Sequence, residues 1–299
     1  MSQGASNLPS RHGVILVLLA GVCWSTMGIG VRLMEVANVW QILFFRSLAL
    51  APFLLIVITI RSGGKPLSVV RKSGWAGVIG GLGLVFAFTG GIYAFQKTTI
   101  ANAAFLFASA PFFAAMLGLF LLRESVRRAT WIAMLVALVG ICIMVWEGIA
   151  VGHLIGNAAA LVSAMGFAVF TIALRWGKLE EMMPTVLLAG IFALVTSATV
   201  CFFSGYTLFI PLNDILIALA MGIFQVGAGL ILYTIGSKTV PAAELALLSM
   251  TEVVLAPLIV WVFLGETAGF FILLGGAVLL TAISVNALSG LRKKPTPIL

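Results

Sequence analysis

Residues 13–32 read GVILVLLAGVCWSTMGIGVR, and residues 156–175 read GNAAALVSAMGFAVFTIALR. Both follow one frame at a constant offset of 143: Gly13-x6-Ala20-x3-Trp24-x7-Arg32, then Gly156-x6-Ser163-x3-Phe167-x7-Arg175. Each stretch has roughly the 20 apolar residues that cross about 30 Å of hydrocarbon. Further matches follow in the same order. Tyr93 corresponds to Tyr233, and Leu121-Leu122-Arg123-Glu124 corresponds to Phe263-Leu264-Gly265-Glu266, at offsets of 140 and 142. Ordered matches across several spans favour an internal duplication over chance similarity between Gly- and Ala-rich apolar helices.

Composition agrees with a membrane chain. Of 299 residues 62% are hydrophobic and 9% charged, with mean hydropathy +1.21. A soluble domain carries roughly a quarter charged residues, so this chain cannot dress its surface for water. The net charge of +8 sits in short loops rather than on one domain, which is a topology signal and excludes nucleic acid as the expected partner. Cys23, Cys142 and Cys201 lie singly in three apolar segments, without CxxC or metal-ligand spacing. They read as small buried hydrophobes, and no metal or cofactor is expected. The first apolar run has no small-residue cleavage site before the next charges, so it reads as a retained span.

Breaks at Gly, Pro and charge place ten spans near 13–33, 38–60, 74–95, 99–122, 128–147, 153–175, 183–204, 213–236, 241–264 and 268–288. The expected fold is an all-α polytopic membrane protein with ten transmembrane helices. These form two inverted five-helix repeats around a central cavity, with the repeats as domains at 1–147 and 148–299. Connections are short, and so are the tails, 1–12 and 289–299.

Lysine and arginine set direction, because they concentrate on the cytoplasmic side. With the amino terminus inside, the inner segments hold Arg11; Arg61, Lys65, Arg71 and Lys72; Arg123, Arg127 and Arg128; Arg175 and Lys178; Lys238; and Arg292, Lys293 and Lys294. The outside keeps little more than Lys97, while Arg32 and Arg46 fall within or at the edge of spans. Both termini are therefore expected in the cytoplasm of a plasma (inner) membrane, multi-pass protein. Five spans per repeat turn the second copy upside down, and the charges follow. Loop 61–73 holds four basic residues and its counterpart, about 205–213, none. Inverted repeats are a common way to build a site reachable from either side of a membrane.

Within this ten-span frame the chain resembles the drug/metabolite transporter superfamily, in its EamA-type branch, over essentially its whole length. The residues that carry the resemblance are the Trp24 region, Arg46 in span 2, Ala110-Pro111 followed by Glu124, and Glu252 with Glu266. The opening stretch and the Tyr93 and Tyr233 regions are similar to aromatic amino-acid exporters of the YddG type. One departure is Glu252-Val253 where the family often has Glu-Pro, with Pro257 further on. Helix bending there is expected to differ.

A polar group at membrane depth is costly unless it meets a partner or a wet cavity, so the intramembrane polar set marks the candidate substrate site. Asn102 and Ser109 of span 4 are seven residues apart and share a helix face. Their counterparts in span 9, Glu244 and Thr251, are spaced alike, so two inverted helices present matched stripes. Glu252 lies beside the second stripe and, with Glu244, is the candidate for proton coupling. Spans 3 and 8 add Thr89, Tyr93, Gln225 and Tyr233; spans 1 and 6 add Trp24, Thr26, Met27, Ser163, Met165 and Phe167. Aromatic and Met side chains beside a few hydrogen-bonding groups suit a small amphipathic solute, such as an amino acid. No basic cluster sits mid-membrane, which argues against phosphorylated substrates.

Structural roles stand beside each functional one. Thr26, Ser109 and Ser163 can bond back to their own helices. Tyr93 and Tyr233 can anchor at the interface, Trp24 can be packing, and Glu244 can be hydrated near a helix end. Arg46 suits a pairing with a core carboxylate or carbonyl. Glu124 and Glu266 suit helix ends or loops. Gly77 and Gly81 form a GxxxG, and span 8 carries Gly222, Gly227, Gly229 and Gly236, which permit close or sliding helix contacts. The expected function is export of small metabolites, amino acids foremost, by alternating access. Other solutes of the same superfamily, such as drugs, cofactor precursors or sugars, are the alternative. An intramembrane enzyme would need a nucleophile–base pair or metal cluster, yet the only histidines, His12 and His153, start spans expected to face opposite surfaces.

Overall fold

A computed structural model describes residues 11–150, 153–179, 181–240 and 242–291; among these it is helical, with no strand. Ten helices are long and apolar enough to cross a membrane. Spans 1 to 5 are Arg11–Arg32, Val39–Arg61, Gly74–Lys97, Ile100–Leu121 and Arg128–Ala150. Spans 6 to 10 are Leu154–Trp176, Met183–Phe203, Leu212–Gly236, Ala242–Leu264 and Phe270–Leu291. Every expected span is present, with ends within three residues of the sequence reading. The basic segment between spans 2 and 3 forms a short helix, Pro66–Lys72. Residues 1–10 and 292–299 of the tails, with Arg292, Lys293 and Lys294, lie outside the described residues.

Hydrocarbon offers no hydrogen-bond partners, so continuous helix is the default backbone. Two spans depart from it. Span 4 is two helices, Ile100–Phe107 and Ala110–Leu121, where the sequence predicted one. Pro111 has no N–H to offer the Phe107 carbonyl and its ring crowds the preceding turn. At the break the Leu106 carbonyl accepts both the Ser109 N–H (3.1 Å) and the Ser109 hydroxyl (2.6 Å). Span 8 is π-helical over Met221–Ala228, between α-helical Leu212–Ala220 and Gly229–Gly236. The sequence predicted ordinary helix there.

Contacts at the two ends of the bundle establish the inversion. Arg32, at the end of span 1, bonds Thr98 and Glu266, at the start of span 4 and the end of span 9. Arg175, at the end of span 6, bonds Glu124, just past the end of span 4. Spans 1 and 6 therefore finish at opposite ends, here termed the Arg32 end and the Arg175 end. The glycines that open the two matched stretches repeat the relation. A Cβ on Gly13 would run into Thr239 Oγ1 of the span 8–9 turn. One on Gly156 would lie 2.8 Å from the Lys97 carbonyl carbon in the span 3–4 turn. Only glycine lets spans 1 and 6 start so close to those turns.

Span 6 packs along spans 3 and 4, and span 1 packs in the same way along spans 8 and 9. Span 2 lies against span 8 and span 7 against span 3, while spans 2 and 7 also run along each other. Two helix groups result, spans 1, 2, 8 and 9 and spans 3, 4, 6 and 7. Helices of both repeats contribute to each group. Spans 5 and 10 pair beside them.

Asp214, fully buried at the start of span 8, staples the span 1–2 connection. It accepts the N–H groups of Glu35 (3.0 Å), Val36 (3.0 Å) and Ala37 (2.9 Å). Gln41 closes a capping box with Asn38 and donates to the Thr207 carbonyl (2.6 Å). At an offset of 140 the counterpart of Asp214 is Gly74, so the Arg175 end has no equivalent staple. Replacing Asp214 with Ala strands three N–H groups and is expected to cost about 1–3 kcal/mol, read as a lower midpoint of thermal unfolding in detergent. Asp214→Asn, which keeps one acceptor oxygen, should lose less; an unchanged midpoint for Asp214→Ala would refute the staple.

Candidate functional site

Two ion pairs mark the two ends. At the Arg32 end, Arg32 Nε donates to Glu266 Oε2 (2.7 Å), and Nη2 donates to Glu266 Oε1 (3.2 Å) and to the Thr98 carbonyl (2.9 Å). Glu266 Oε1 also accepts the Ile100 N–H (2.7 Å). The Arg and Glu both belong to the group of spans 1, 2, 8 and 9, yet they grip the backbone of the other group at the span 3–4 turn. Their side chains are 27% and 22% exposed. At the Arg175 end, Arg175 Nη2 donates to both oxygens of Glu124 (2.6 Å each). Those side chains are 51% and 40% exposed, and neither reaches the opposite group among the described residues. Residues 32 and 175, and 124 and 266, are related by the repeat offsets of 143 and 142.

The sequence left Glu124 and Glu266 as helix-end residues and assigned neither Arg a partner. The signal was nonetheless present, because each Arg closes one of the two matched stretches and each Glu follows a span at the corresponding offset. His12 and His153 lie at opposite ends, beside the Gly13 and Gly156 contacts.

Several expected site residues come together. Trp24 and Tyr233, from spans 1 and 8, meet with ring centroids 5.2 Å apart and planes tilted by 42°. Met27 of span 1 and Ser163 of span 6 converge on Gly91 of span 3, 3.4 and 3.3 Å from where a Cβ would sit. The Ser163 hydroxyl donates to the Ala87 carbonyl (2.6 Å). Phe167 meets Phe107 of the broken span 4 at 5.6 Å. Tyr93 packs, half-buried, with Met27 against the cluster of Val31, Ile42, Ile92 and Met221. Thr251 packs on Gly21 of span 1, and the Glu252 backbone follows it there. Glu252 makes no ion pair among the described residues.

Others are placed elsewhere. Asn102 is buried near the Arg32 end, its Nδ2 donating to Thr98 Oγ1 (3.0 Å) and to Asn157 Oδ1. Asn157 of span 6 was not singled out from sequence, although a lone Asn in an apolar span is itself a signal. Ser109 sits at the break in span 4 and serves its own backbone. The seven-residue spacing from Asn102 to Ser109 is thus interrupted and no longer defines one helical face. Glu244 lies in the first turn of span 9, where its charge suits the helix dipole. Thr26 bonds back to the Cys23 carbonyl (2.6 Å). Thr89 Oγ1 and Gln225 Oε1 are buried without hydrogen-bond partners, as are all three guanidinium nitrogens of Arg46. A cleft of about 330 Å³ opens beside Glu266 between spans 4, 9 and 10, lined by Ile100, Pro257 and Trp261. No cluster of His, Cys, Asp or Glu that could hold a metal occurs among the described residues.

The model of the EamA-like transporter family matches the chain twice, at residues 11–146 and 154–288. Similar proteins include an uncharacterized transporter of Clostridium kluyveri, 24% identical over 92% of this chain and 93% of its own. Another, from Archaeoglobus fulgidus, is 25% identical over 92% of this chain and 96% of its own. The pseudopaline exporter CntI of Pseudomonas aeruginosa is 28% identical over 55% of this chain and 57% of its own. A chain of a solved crystal structure superposes with a TM-score of 0.65 at 20% identity, covering 94% of this chain and 99% of that one, which supports the same fold. With both halves matched by the family model and ten membrane-spanning helices in place, this chain belongs to the EamA-like transporter family of the drug/metabolite transporter superfamily.

Proposed function

We propose that the chain exports small metabolites, amino acids foremost, by alternating access across the plasma (inner) membrane, with both termini cytoplasmic. The observation that carries this reading is the inequality of the two symmetry-related ion pairs. One grips across the two helix groups; the other is exposed and grips nothing opposite. In an alternating-access cycle they act as latches. The Arg32–Glu266 pair holds the outer end shut while the inner end is free. The Arg175–Glu124 pair takes hold of the span 8–9 turn when the protein turns the other way.

The basic residues of the Arg175 end support its assignment as cytoplasmic. Trp24, Tyr233, Met27, Tyr93 and Phe167 supply apolar and aromatic surface, with Thr89, Gln225, Ser163 and Thr251 as sparse polar groups. That balance suits an amphipathic solute. Glu252, half-buried mid-span without an ion-pair partner, is the residue for a coupling proton, and Glu244 near the Arg175 end is the other candidate. The relative named as a pseudopaline exporter supports a second reading, export of a metabolite other than a free amino acid. Competition for counterflow separates the two.

Proteoliposomes loaded with unlabelled phenylalanine, methionine or serine are expected to take up the labelled counterpart. No exchange for any of the three removes the amino-acid assignment. In the same assay Glu252→Gln is expected to erase the dependence of flux on a pH gradient, and an unchanged dependence ends its coupling role. For the latch, T98C in a background lacking Cys23, Cys142 and Cys201 reports opening of the Arg32 end to an impermeant maleimide. Glu266→Gln should speed its labelling about tenfold, the equivalent of roughly one weakened charge-assisted hydrogen bond. Glu124→Gln should not speed it. Equal rates in the two variants would remove the latch.

A further inference from the structure

Arg46 is the one cation placed well inside the bundle rather than at a helix end or loop, among the described residues. It is 0% exposed, and its Nε, Nη1 and Nη2 have no hydrogen-bond partner. Its guanidinium carbon lies 4.3 Å from the ring centroid of Phe88 in span 3. The five N–H donors of a guanidinium lie in one plane as a fork that matches a carboxylate bidentately. Arginine does not shed its proton to escape burial. An uncompensated buried charge is strongly destabilising, so this site calls for an anion.

Among the described residues no carboxylate pairs with Arg46. Glu266 is held by Arg32, Glu124 by Arg175, and Asp214 by three backbone N–H groups. Glu252 lies on span 9 against Gly21 of span 1. The surroundings add acceptors instead. Thr89, next to Phe88, keeps a buried unpartnered Oγ1. Gln225 keeps a buried unpartnered Oε1. It belongs to the π-helical segment whose Gly222 presses on the Arg46 carbonyl, a contact no other residue would permit. π-Helical turns within α-helices occur often at functional sites. Spans 2, 3 and 8 thus each carry an unmet polar group, with Phe88 of span 3 touching the Arg46 guanidinium and Gly222 of span 8 its backbone.

We infer that Arg46 anchors the carboxylate of the transported solute, while Gln225 and Thr89 receive its ammonium or hydroxyl donors. The inference rests on the transport reading above and narrows its substrate class. A single positive charge suits a monocarboxylate rather than a phosphate ester, and the acceptors suit an α-amino acid over a simple acid. Arg46 is enclosed in this conformation, so entry of the solute requires spans 2, 3 and 8 to part at Phe88 and the π-helical segment.

The test uses the full-length protein in detergent and ligand-induced thermal stabilisation with four probes. L-phenylalanine and 3-phenylpropionate carry the carboxylate; 2-phenylethylamine lacks it, and L-phenylalaninamide has it neutralised. The carboxylate probes are expected to bind roughly tenfold or more tightly than the amine and the amide, as for a hydrogen bond to a charged group. Arg46→Gln should remove that preference, and Arg46→Lys, which keeps charge without the fork, should fall between. The wild-type series needs no variant, so a poorly folded Arg46→Gln does not block the decision. Equal binding of acid and amine, no binding of any probe, or an intact preference in a folded Arg46→Gln overturns the anchor. If labelled amino acids fail to exchange while 3-phenylpropionate still binds through Arg46, the amino-acid reading falls and the anchor stands. If amino acids exchange and the amine competes equally, the anchor falls and the transport reading stands.

Discussion

In hydrocarbon a polar group cannot turn to water, and this constraint organises the whole chain. It forces the backbone into helices whose bonds close within each span. It also makes every exception costly enough to need a reason. The break in span 4 is met in part locally, since Ser109 gives both its N–H and its hydroxyl to the Leu106 carbonyl. The buried amides of Asn102 and Asn157 satisfy one another in part. Asp214 is acceptable because three N–H groups meet it. After these pairings the unmet atoms are few, and several collect around spans 2, 3 and 8.

The fold was legible because its signals are additive over long windows. Twenty apolar residues outweigh any local ambiguity. The repeat was legible through glycine and arginine, whose spacing is fixed by close approach and by charge. Local backbone geometry was less so. Span 4 was expected as one helix despite Pro111, and Ser109 and Asn102 read as one stripe, since periodicity assumes an unbroken helix. The π-helical turn of span 8 has no comparable sequence mark beyond clustered glycines. Asp214 and Asn157 escaped notice because their partners, backbone N–H groups and a distant amide, are fixed only by tertiary packing. Arg32 and Arg175 were visible as repeat markers, but their carboxylate partners lie 234 and 51 residues away.

The exchange of helices between the repeats gives the latches their mechanical meaning. Span 1 packs on spans 8 and 9, and span 6 on spans 3 and 4. Each Arg–Glu pair is therefore internal to one helix group, and the Arg32 pair uses its remaining donors and acceptors on the other. Breaking the grip at one end does not break the ion pair itself. Only the bonds to Thr98 and Ile100 are lost. A latch that keeps its charges paired while it releases avoids the cost of stranding a half-buried ion.

Perfectly identical inverted repeats would make the two access states equal in energy, because one state would map onto the other. The differences between the copies therefore set the bias. Asp214 ties the span 1–2 connection at the Arg32 end, and its counterpart Gly74 ties nothing. Each hydrogen bond to a charged group contributes about 1.5–3 kcal/mol. Much of that is retained if the staple moves as a unit, since Asp214 and residues 35–37 belong to the same helix group. What shifts the equilibrium is then the difference between the cross-group bonds at the two ends. In the proposed alternating-access cycle the bonds at Thr98 and Ile100 would favour the conformation closed at the Arg32 end by a few kcal/mol, a bias that a solute with matching differential affinity can reverse. Span 9 carries Glu244 and Glu252 where its counterpart, span 4, carries no carboxylate, which adds to this inequality. On the coupling proposed for Glu252 or Glu244, it is the second repeat that would make that reversal depend on a proton.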